Sequence, residues 1–340
     1  MMKMEQVTVI IPNWNGMKFL QSCLKSLSVQ TFSDFKTVVI DNASTDGSQD
    51  FIRDNFPEVE IVQMDKNYGF TGAVNEGIRR TTTPYLLLLN NDTEVEPQFV
   101  EELYKAIEKD DTIFSVSSKM INFYDRSKMD DAGDLYTLIG WQAQRGVAHP
   151  VEKYNKPCEV FSACAGAAIY RRDAFDIIGV FDDMHFAYLE DIDVGYRAKI
   201  YGYKNMYCPT AVVYHMGSAT TGTGYNDFKV KISSRNNIYM ITKNMPLLQL
   251  GINFFPLLAG HIVKYMYFKK FGFSKAYLAG VKEGLLTAYR CNKVPYKSEN
   301  LYNYIAIEKD LIKNTFIYFR EYGILKRELM MSKEKNGGTN

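Results

Sequence analysis

The sequence predicts an α/β fold, a doubly wound and mostly parallel sheet with helices on both faces, followed by a helical C-terminal region. Three observations predict it. Apolar runs of strand length alternate with segments of helical spacing before Lys109, a polar turn follows each run, and beyond Lys229 the pattern is helical. Alternating units of this kind build parallel sheets, whose ligands bind where the strands end. The polar residues after the strands are therefore candidates for a functional site.

The elements before Lys109 follow one another in a regular order. The first apolar run stops at Pro12, and apolar residues then recur from Phe19 to Leu27 at the spacing of a helix. The second helix follows a polar turn rich in capping residues, and the fourth has Pro97 near its first turn. The predicted strands are residues 7–11, 37–40, 60–63 and 85–89. The later helices are predicted to end near residue 55 and to cover residues 72–80 and 97–109.

The alternation weakens after Thr112. Residues 117–161 have no regular pattern, and regular patterns return with a helix that begins near Glu190 and a strand over residues 211–214. Because the irregular stretch and the tail differ most from a simple α/β plan, we expect them to shape the substrate pocket.

Composition divides the chain into two regions. We predict an α/β domain over residues 1–228 and a helical region over residues 229–340. Between them, the Gly- and Thr-rich residues 218–225 predict a mobile loop, and the polar residues 332–340 predict a frayed end.

Charge is unevenly distributed along the 340 residues, of which 46% are apolar, a fraction that excludes general disorder. Residues 1–244 carry 25 Lys and Arg against 32 Asp and Glu, a net −7. Residues 245–340 carry 15 against 7, a net +8. A basic and aromatic tail predicts a surface for anionic lipid or another polyanion, and a solvated helical face is the alternative.

Cysteine content and the first residues bear on the compartment. The five cysteines include no C-x-x-C pair, so neither a disulfide framework nor a zinc knuckle is indicated, and a reducing compartment is expected. The apolar run at residues 7–11 is too short for a signal peptide. The sequence therefore predicts a location in the cytoplasm, including the inner face of the cytoplasmic membrane.

The start of the tail approaches the length of a membrane span. Residues 245–263 contain 19 residues without a charge. Polar and helix-breaking residues interrupt this stretch, namely Pro246, Gly251, Asn253, Pro256 and His261. We therefore expect a helix pair that lies on a membrane or packs on the body, rather than a true span. Aromatic and basic residues interleave over residues 264–275, which predicts an interfacial anchor or, alternatively, a homodimer interface.

Two acidic clusters predict the chemistry. The strand at residues 85–89 ends in Asn90-Asn91-Asp92, and a divalent cation held by Asp92 would neutralise a diphosphate. Three further acids, Glu190, Asp191 and Asp193, follow about a hundred residues later. Each polar strand end alone could be a turn or a helix cap. Four polar strand ends at one edge of the sheet predict a metal-dependent enzyme for a phosphorylated substrate. They are residues 12–15, 41–42, 67–69 and 90–92.

These motifs resemble the family-2 glycosyltransferases of GT-A fold, in particular their rhamnosyltransferase-like and galactofuranosyltransferase-like branch. The resemblance covers residues 7–220, and the motifs occur in the family's order. They are Pro12-x-Trp-Asn15, Asp41-Asn-x-Ser-x-Asp46, Asn67-x-Gly-Phe70, Leu89-Asn-Asn-Asp92, Gly166-Ala-Ala with Arg171-Arg172, Tyr188-x-Glu-Asp-x-Asp193 and Tyr214-His-x-Gly-Ser218. The resemblance implies an inverting transferase that moves a sugar from a nucleotide diphosphate to a glycan or lipid-linked acceptor in surface polysaccharide synthesis. Nucleic acid is not an expected partner.

The resemblance also implies roles for individual residues. Asp41 is expected to read the nucleotide base, and Asp92 with His215 to hold Mn²⁺ or Mg²⁺. Asn90 stands where many members have the first Asp of their D-x-D motif, and an amide oxygen is the weaker ligand. The remaining residues expected to bind the nucleotide sugar are Pro12, Asn13, Trp14, Asn15, Asn67, Gly69 and Asn91.

Arg235 is a further candidate from its position alone. It follows the Gly- and Thr-rich loop, and an arginine there would reach a diphosphate if the loop closed as a lid. An exposed arginine on a helix is the alternative.

An inverting transfer requires a base for the acceptor hydroxyl. Spacing leaves the choice open, because on a helix Glu190 and Asp193 share a face while Asp191 points about 100° away from Glu190. The resemblance favours Asp191 as the base and Glu190 as an acceptor or sugar contact. An acidic helix start without catalytic function is the alternative.

The donor follows from the branch resemblance only. We expect dTDP-L-rhamnose first, and a UDP-linked hexose or UDP-galactofuranose as the alternative. Outside this family, a nucleotidyltransferase and a non-catalytic nucleotide-sugar-binding scaffold are the competing hypotheses.

Overall fold

The computed structural model describes residues 5–217 and 224–336. Most of the predicted loop at 218–225, and the last part of the predicted frayed end, lie outside the described residues. The strands are β1 (Val7–Asn13), β2 (Phe35–Asp41), β3 (Glu60–Gln63), β4 (Tyr85–Leu89), β5 (Thr93–Val95), β6 (Ile113–Asn122), β7 (Met129–Asp131), β8 (Asp134–Tyr136), β9 (Gln142–Gln144), β10 (Cys158–Val160), β11 (Ala167–Arg171) and β12 (Lys204–His215). The α-helices are α1 (Met17–Ser28), α2 (Ser48–Asn55), α3 (Gly69–Arg80), α4 (Phe99–Ile107), α5 (Ala174–Ile178), α6 (Glu190–Ile200), α7 (Asp227–Asn244), α8 (Leu247–Lys270), α9 (Ser274–Thr287) and α10 (Leu301–Asn336).

One sheet organises the described residues. Its strands lie in the order β10-β12-β6-β11-β4-β1-β2-β3, while β5 pairs with β12 and β7 pairs with β6. The first four strands pair in parallel, as do β6 and β12. β11 runs antiparallel to both β4 and β6, in the region where the sequence alternation weakens. The predicted mostly parallel α/β sheet is confirmed, with an antiparallel insertion.

Helices cover both faces of the sheet. Successive residues of a strand point to opposite faces, so Val9 and Leu87 enter one core while Ile10 and Leu88 enter the other. Helices α1, α2 and α4 close the first core, and α3, α5 and α6 close the second. The doubly wound prediction is confirmed, and it places the carboxyl ends of β1, β2 and β4 at one edge.

Two strands are longer than the sequence predicts. β1 continues through Pro12 to Asn13, although proline has no N–H to donate. Its pairing with β4 ends at Ile10, so no partner on that side needs a proline N–H. β12 begins at Lys204, and the register shift between Cys208 and Val212 hides its first half from a period-two pattern.

The tail packs on the α/β domain through a third core. Helices α6, α7, α8 and α10 contribute to it, with Ile192, Met240, Leu257 and Leu311 among its residues. The expected helix pair at residues 245–263 is wrong, because α8 is one continuous helix with Pro256 inside it. Proline removes a single hydrogen bond, the one to the carbonyl of Ile252, and the helix continues through Pro256 to Lys270. The boundary between residues 228 and 229 stays a prediction.

Candidate active site

The ends of β1 and β2 lie side by side. Asn13 is opposite Asp41 in the parallel register, and both are buried. The Asp41 carboxylate accepts from the Asn13 amide at 3.0 Å, from the backbone N–H of Ser44 at 2.9 Å and from the Gln49 amide at 2.6 Å. The structure thus places Asp41 at the expected strand end, with its oxygens already bonded to the protein. Its role in reading the base stays a prediction.

The residues after β1 reach the surface beside the turn that follows β2. Trp14 is 41% exposed. Asn15 has a positive φ of 50°, its N–H donates to Ser44 Oγ at 2.9 Å, and its side-chain oxygen accepts from the N–H of Thr45 at 2.9 Å. These hydrogen bonds hold the turn after β1 against the turn after β2, so that the two turns can bind one ligand together. Nucleotide contacts by Pro12, Trp14 and Asn15 stay predictions.

Gly69 makes a close approach that only glycine permits. Its φ is +76°, and its N–H donates to the Asn67 side chain at 2.8 Å. A Cβ at Gly69 would lie 2.5 Å from the Phe186 ring and from the Phe186 carbonyl. The Thr71 N–H donates to that same carbonyl at 3.2 Å. The Asn67–Gly69 turn therefore packs on the segment that leads into α6.

The end of β4 connects the two acidic clusters. The Asn90 N–H donates to the Gly166 carbonyl at 2.8 Å, and the Asn91 amide donates to Asn13 Oδ1 at 2.8 Å. The adjacent Ala165 N–H hydrogen-bonds to the Asp191 carboxylate. A single short segment at residues 165–166 therefore touches the end of β4 on one side and the start of α6 on the other.

His215 lies between two carboxylates. Its Nε2 is 3.3 Å from Asp92 Oδ1, and its Nδ1 is 2.6 Å from Asp130 Oδ2. Burial alone would lower the pKa of His215, but its hydrogen bonds to Asp130 and Asp92 and the charges of both outweigh burial and raise that pKa to about 10. The predicted pair of Asp92 and His215 does lie together, and Asp130 joins it.

This arrangement fits a divalent cation. A histidine that binds a metal through one ring nitrogen commonly donates the other N–H to a carboxylate, which fixes the ring. Here Nδ1 is bonded to Asp130, and Nε2 faces the Asp92 carboxylate, a hard oxygen ligand of the kind that Mn²⁺ and Mg²⁺ accept. Asp92 and His215 are thus the residues that would hold the ion, which would take the place of the Nε2 proton of His215, and Asp130 would orient His215.

Asp191 lies at the wall of a cavity of about 350 Å³ between the α/β domain and the helical tail. The α/β domain contributes Asp134, Gln142, Gln144, Tyr188, Glu190 and Asp191 to the lining. The tail contributes Ser233, Asn237, Lys264, Phe268 and Tyr277. The irregular stretch and the tail therefore do shape the pocket around the predicted base, as the sequence led us to expect.

Three neighbouring carboxyl groups line this cavity, and their pKa values are raised to different extents. Burial and the charge of Asp191 raise the pKa of Glu190 to about 8, and among the described residues Glu190 Oε2 has no hydrogen-bond partner. Burial and the Asp191 charge also raise the pKa of Asp134 well above its usual range. Burial raises the pKa of Asp191 as well, but hydrogen bonds from the Ile192 N–H, the Asp134 carboxyl and the Ala165 N–H oppose it. Asp191 is therefore the member of the three whose ionised form the protein stabilises with hydrogen bonds from two backbone N–H groups.

Asp193 is a structural residue. It is fully buried, its Oδ2 lies 2.9 Å from both Arg197 and Lys243, and its Oδ1 accepts from Asn244 at 2.7 Å. Burial alone would raise the pKa of Asp193, but the charges of Arg197 and Lys243 outweigh burial and hold it well below its usual range. An aspartate enclosed by cations cannot serve as a base, so Asp193 is no longer a candidate, and Asp191 and Glu190 remain.

The segment before α6 is strained and held from the tail. Phe186, Tyr188 and Leu189 all have positive φ values, between 62° and 70°. The Asn236 amide donates to the carbonyls of His185, Ala187 and Tyr188 at 2.8 to 2.9 Å. Backbone in this region is unfavourable for residues with side chains, so it persists where surrounding contacts fix it. The tail thereby positions the residues that precede Glu190.

Arg235 contacts the strained segment. Its guanidinium donates to the carbonyls of Met184 and His185 at 3.1 and 3.0 Å and pairs with Glu283 at 3.2 Å. These contacts hold the segment before α6 from the tail, as those of Asn236 do. The predicted contact of Arg235 with a diphosphate stays a prediction.

Comparison with known proteins assigns the family. The family model described as "Glycosyl transferase family 2" matches residues 8–179, half of the chain. This chain is a family-2 glycosyltransferase. The predicted family and its GT-A fold are confirmed.

Relatives of this glycosyltransferase support the same assignment. It is 26% identical over 228 residues to the N-acetylglucosaminyl-diphospho-decaprenol L-rhamnosyltransferase of Mycobacterium tuberculosis, which covers 60% of this chain and 73% of that protein. It resembles the mannosyltransferase PcManGT of Pyrobaculum calidifontis, solved with GDP-Man and Mn²⁺, with a TM-score of 0.53, 16% identity and coverage of 98% and 87%. It also resembles GalNAc-T7, solved with UDP, GalNAc and Mn²⁺, with a TM-score of 0.58 and 17% identity, over 72% of this chain and 48% of that one. At these identities the structural likeness shows the fold alone.

Two site residues of this glycosyltransferase escaped the sequence analysis. Asp130 and Asp134 lie in the irregular stretch, and neither follows a predicted strand. The run Asp130-Asp131-Ala132-Gly133-Asp134 was a possible signal, because three acids around a glycine are unusual in an otherwise buried stretch. Gly133 has a φ of +92°, and the Asp131 side chain accepts its N–H at 2.5 Å.

Proposed function

We propose that this glycosyltransferase is a metal-dependent, inverting enzyme that moves a sugar from a nucleotide diphosphate to a glycan or lipid-linked acceptor. The observation that carries the proposal is the position of Asp191, which lines a cavity and is linked through residues 165–166 to Asn90, two residues before Asp92. An inverting transfer needs these two features on opposite sides of the anomeric carbon, a base near the acceptor hydroxyl and positive charge near the leaving group.

In the proposed reaction Asp191 takes the proton of the acceptor hydroxyl while that oxygen attacks the anomeric carbon. The bond from this carbon to the diphosphate oxygen breaks, and the nucleoside diphosphate leaves with the bonding electrons. Mn²⁺ or Mg²⁺ held by Asp92 and His215 would neutralise the charge on the departing diphosphate. The N–H groups of Ile192 and Ala165 hydrogen-bond to the Asp191 carboxylate, which favours its ionised form and orients it.

Glu190 has a different role in this proposal. With its pKa raised to about 8, it is largely protonated at neutral pH and is therefore a hydrogen-bond donor. Its unpartnered Oε2 belongs to a residue that lines the cavity. A neutral carboxyl group there is suited to bind a sugar hydroxyl, in the acceptor or in the donor.

The cavity also has the chemistry of a saccharide site. Amide and hydroxyl groups of Gln142, Gln144 and Ser233 can pair with sugar hydroxyls, and the Phe268 ring offers an apolar face. We infer that the acceptor sugar binds here, because the base must contact the acceptor hydroxyl directly.

The leading donor is dTDP-L-rhamnose. Its support is the branch resemblance of the motifs and the name of the Mycobacterium tuberculosis relative, an L-rhamnosyltransferase. A UDP-linked hexose or UDP-galactofuranose is the alternative, since a structural neighbour was solved with UDP. The family match disfavours a nucleotidyltransferase, and a non-catalytic scaffold would bind a nucleotide sugar without turnover.

A panel of nucleotide sugars tests the proposal. The panel contains dTDP-rhamnose, UDP-glucose, UDP-N-acetylglucosamine, UDP-galactofuranose and GDP-mannose, and release of nucleoside diphosphate is measured with Mn²⁺, with Mg²⁺ and with EDTA. We expect metal-dependent release from one donor. Binding of a nucleotide sugar without release from any donor, in the presence of mixed glycan acceptors, would favour the scaffold instead.

Asp134→Ala should shift the pH dependence of transfer. The Asp134 carboxyl hydrogen-bonds to Asp191 and lowers its pKa, so its removal raises the pKa of the base. Transfer requires ionised Asp191 and rises with pH, and its acid limb should therefore move to higher pH by about one unit, because a hydrogen bond to a charged group contributes ~1.5–3 kcal/mol. Asp134→Asn retains a donor and should shift the limb less. Identical profiles for wild type and Asp134→Ala would show that Asp134 does not act on the base.

A further inference from the structure

The exposed side of helix α8 is apolar, whereas the exposed side of a helix on a soluble protein is normally polar. No exposed position between residues 247 and 267, all of them described, carries a polar or charged side chain. Leu247, Phe255, Leu248 and Ile252 are 80, 76, 73 and 62% exposed. By length and composition α8 is also the one helix among the described residues that could cross a membrane. An apolar stripe of this extent indicates a surface that is covered in use.

The apolar surface continues onto α10. Leu247, Leu248 and Ile252 from α8 line a cavity of about 550 Å³ together with Leu301 and Ile305 from the start of α10. We call the exposed apolar side chains of α8 and of these first turns of α10 the α8–α10 face. Because one groove joins the two helices, this face is continuous.

Up to residue 326, the exposed charge of the tail is basic apart from one residue. Between residues 247 and 300 the exposed charged side chains are seven Lys or Arg and one acid, Glu299, which lies 3.6 Å from Lys297. Lys293 lines the groove between α8 and α10. On α10, up to residue 326, the exposed charged residues are Lys309, Lys313, Arg320 and Lys326. Apolar area bordered by basic side chains is the pattern of helices that lie in the interface of anionic membranes.

The inner side of α8 packs on the protein, which argues against a helix that crosses a membrane. Gln249 and Asn253 donate to the Glu308 carboxylate at 3.0 and 2.9 Å, and the Trp141 indole N–H donates to the Gly260 carbonyl at 3.1 Å. A Cβ at Gly260 would overlap the carbonyl of Ile139. These contacts follow α8 from its first turns past its middle, so a span would carry a carboxylate and part of the α/β domain into hydrocarbon.

A second copy of the chain is the other partner that could cover the α8–α10 face. In a twofold contact the same patch meets itself, so the basic border of one copy would lie against that of the other. Like charges opposed in this way are unfavourable, whereas anionic headgroups complement them. Charge therefore favours a lipid surface.

We propose that the α8–α10 face binds the surface of a bilayer that contains anionic phospholipid, with α8 in the plane of the interface. This surface is a property of the tail and does not depend on the proposed sugar chemistry. One consequence concerns the active site. Lys264 and Phe268, on the inner side of α8, line the cavity that contains Asp191. Docking would bring that cavity within about one helix diameter, roughly 10 Å, of the membrane.

Vesicle flotation of the full chain tests the proposal. The vesicles contain phosphatidylcholine alone or phosphatidylcholine with phosphatidylglycerol, and binding is compared at low and high salt. We expect flotation with the anionic vesicles, weaker flotation without phosphatidylglycerol or at high salt, and release by alkaline carbonate. Absence of flotation, or resistance to carbonate extraction, would overturn an interfacial surface.

Substitutions on the face supply the matched comparison. Phe255→Ser combined with Leu248→Ser removes two exposed apolar side chains, so the fold should persist and vesicle affinity should fall about tenfold or more. Tyr124→Ser is the control, because Tyr124 is 75% exposed on the α/β domain, close to the 76% of Phe255. Equal losses in both variants would contradict the proposal. So would light scattering that shows a dimer which the paired substitution dissociates.

Discussion

Asp191→Asn is expected to reduce the rate of sugar transfer by roughly 10²–10⁴-fold, the usual contribution of a general base. Asparagine keeps the size of the side chain and an oxygen for the Ile192 N–H, but it cannot take a proton. Because burial disfavours the charged form of Asp191, a neutral substitute should not lower the thermal stability. Donor affinity should persist, since Asp191 faces the acceptor cavity. Single-turnover transfer and calorimetric donor titration measure the two quantities separately.

Glu190→Gln provides the comparison within the same cavity. If Glu190 donates a hydrogen bond to a sugar, the amide should replace it in part and mainly raise KM for the acceptor or the donor. Loss of transfer in Glu190→Gln, with transfer by Asp191→Asn intact, would assign the base to Glu190.

Asp92→Ala is expected to abolish the metal-dependent part of donor affinity. Removal of an outer partner of a metal ligand typically lowers metal affinity about 10–100-fold, and removal of the ligand itself should lower it further. Asp130→Ala, which loses the partner of His215 Nδ1, should therefore show the smaller of the two effects. Calorimetric titration with the donor in Mn²⁺ and in EDTA provides the measurement.

The control for Asp92→Ala is Asp54→Ala, an exposed aspartate on α2 that lies outside the site. Its donor affinity should match the wild type in both buffers. If Asp92→Ala kept the full difference between Mn²⁺ and EDTA, the cation would have to be held elsewhere.

The fold was largely predictable because the strands and helices of its first half follow from local sequence patterns. Four apolar runs with helices between them define the parallel part of the sheet, and β3 and β4 begin and end as predicted. The antiparallel strands were not predictable in this way. β7 to β10 are three residues long, too short for a period to appear, and β10 pairs with the distant strand β12.

The grouping of side chains at the candidate site was predictable for residues that stand in sequence motifs, and not for residues whose place depends on charges elsewhere in the chain. Asp92, Asp191 and His215 stand in motifs, but their partners Asp130 and Asp134 come from the irregular stretch. The role of Asp193 depends on Lys243 and Arg197, and spacing along one helix cannot reveal a cation on another. The contact of Arg235 with Glu283 was hidden for the same reason, because the two residues lie 48 positions apart in the chain.

The most direct test of the central claim is the anomeric configuration of the product. The donor that turns over in the nucleotide-sugar panel is incubated with a synthetic glycan acceptor, and the one-bond carbon–proton coupling of the new glycosidic carbon is measured by NMR. A single base and a metal-bound leaving group on opposite sides of the sugar predict a configuration opposite to that of the donor. A product with the configuration of the donor would require a second displacement and would contradict the role assigned to Asp191.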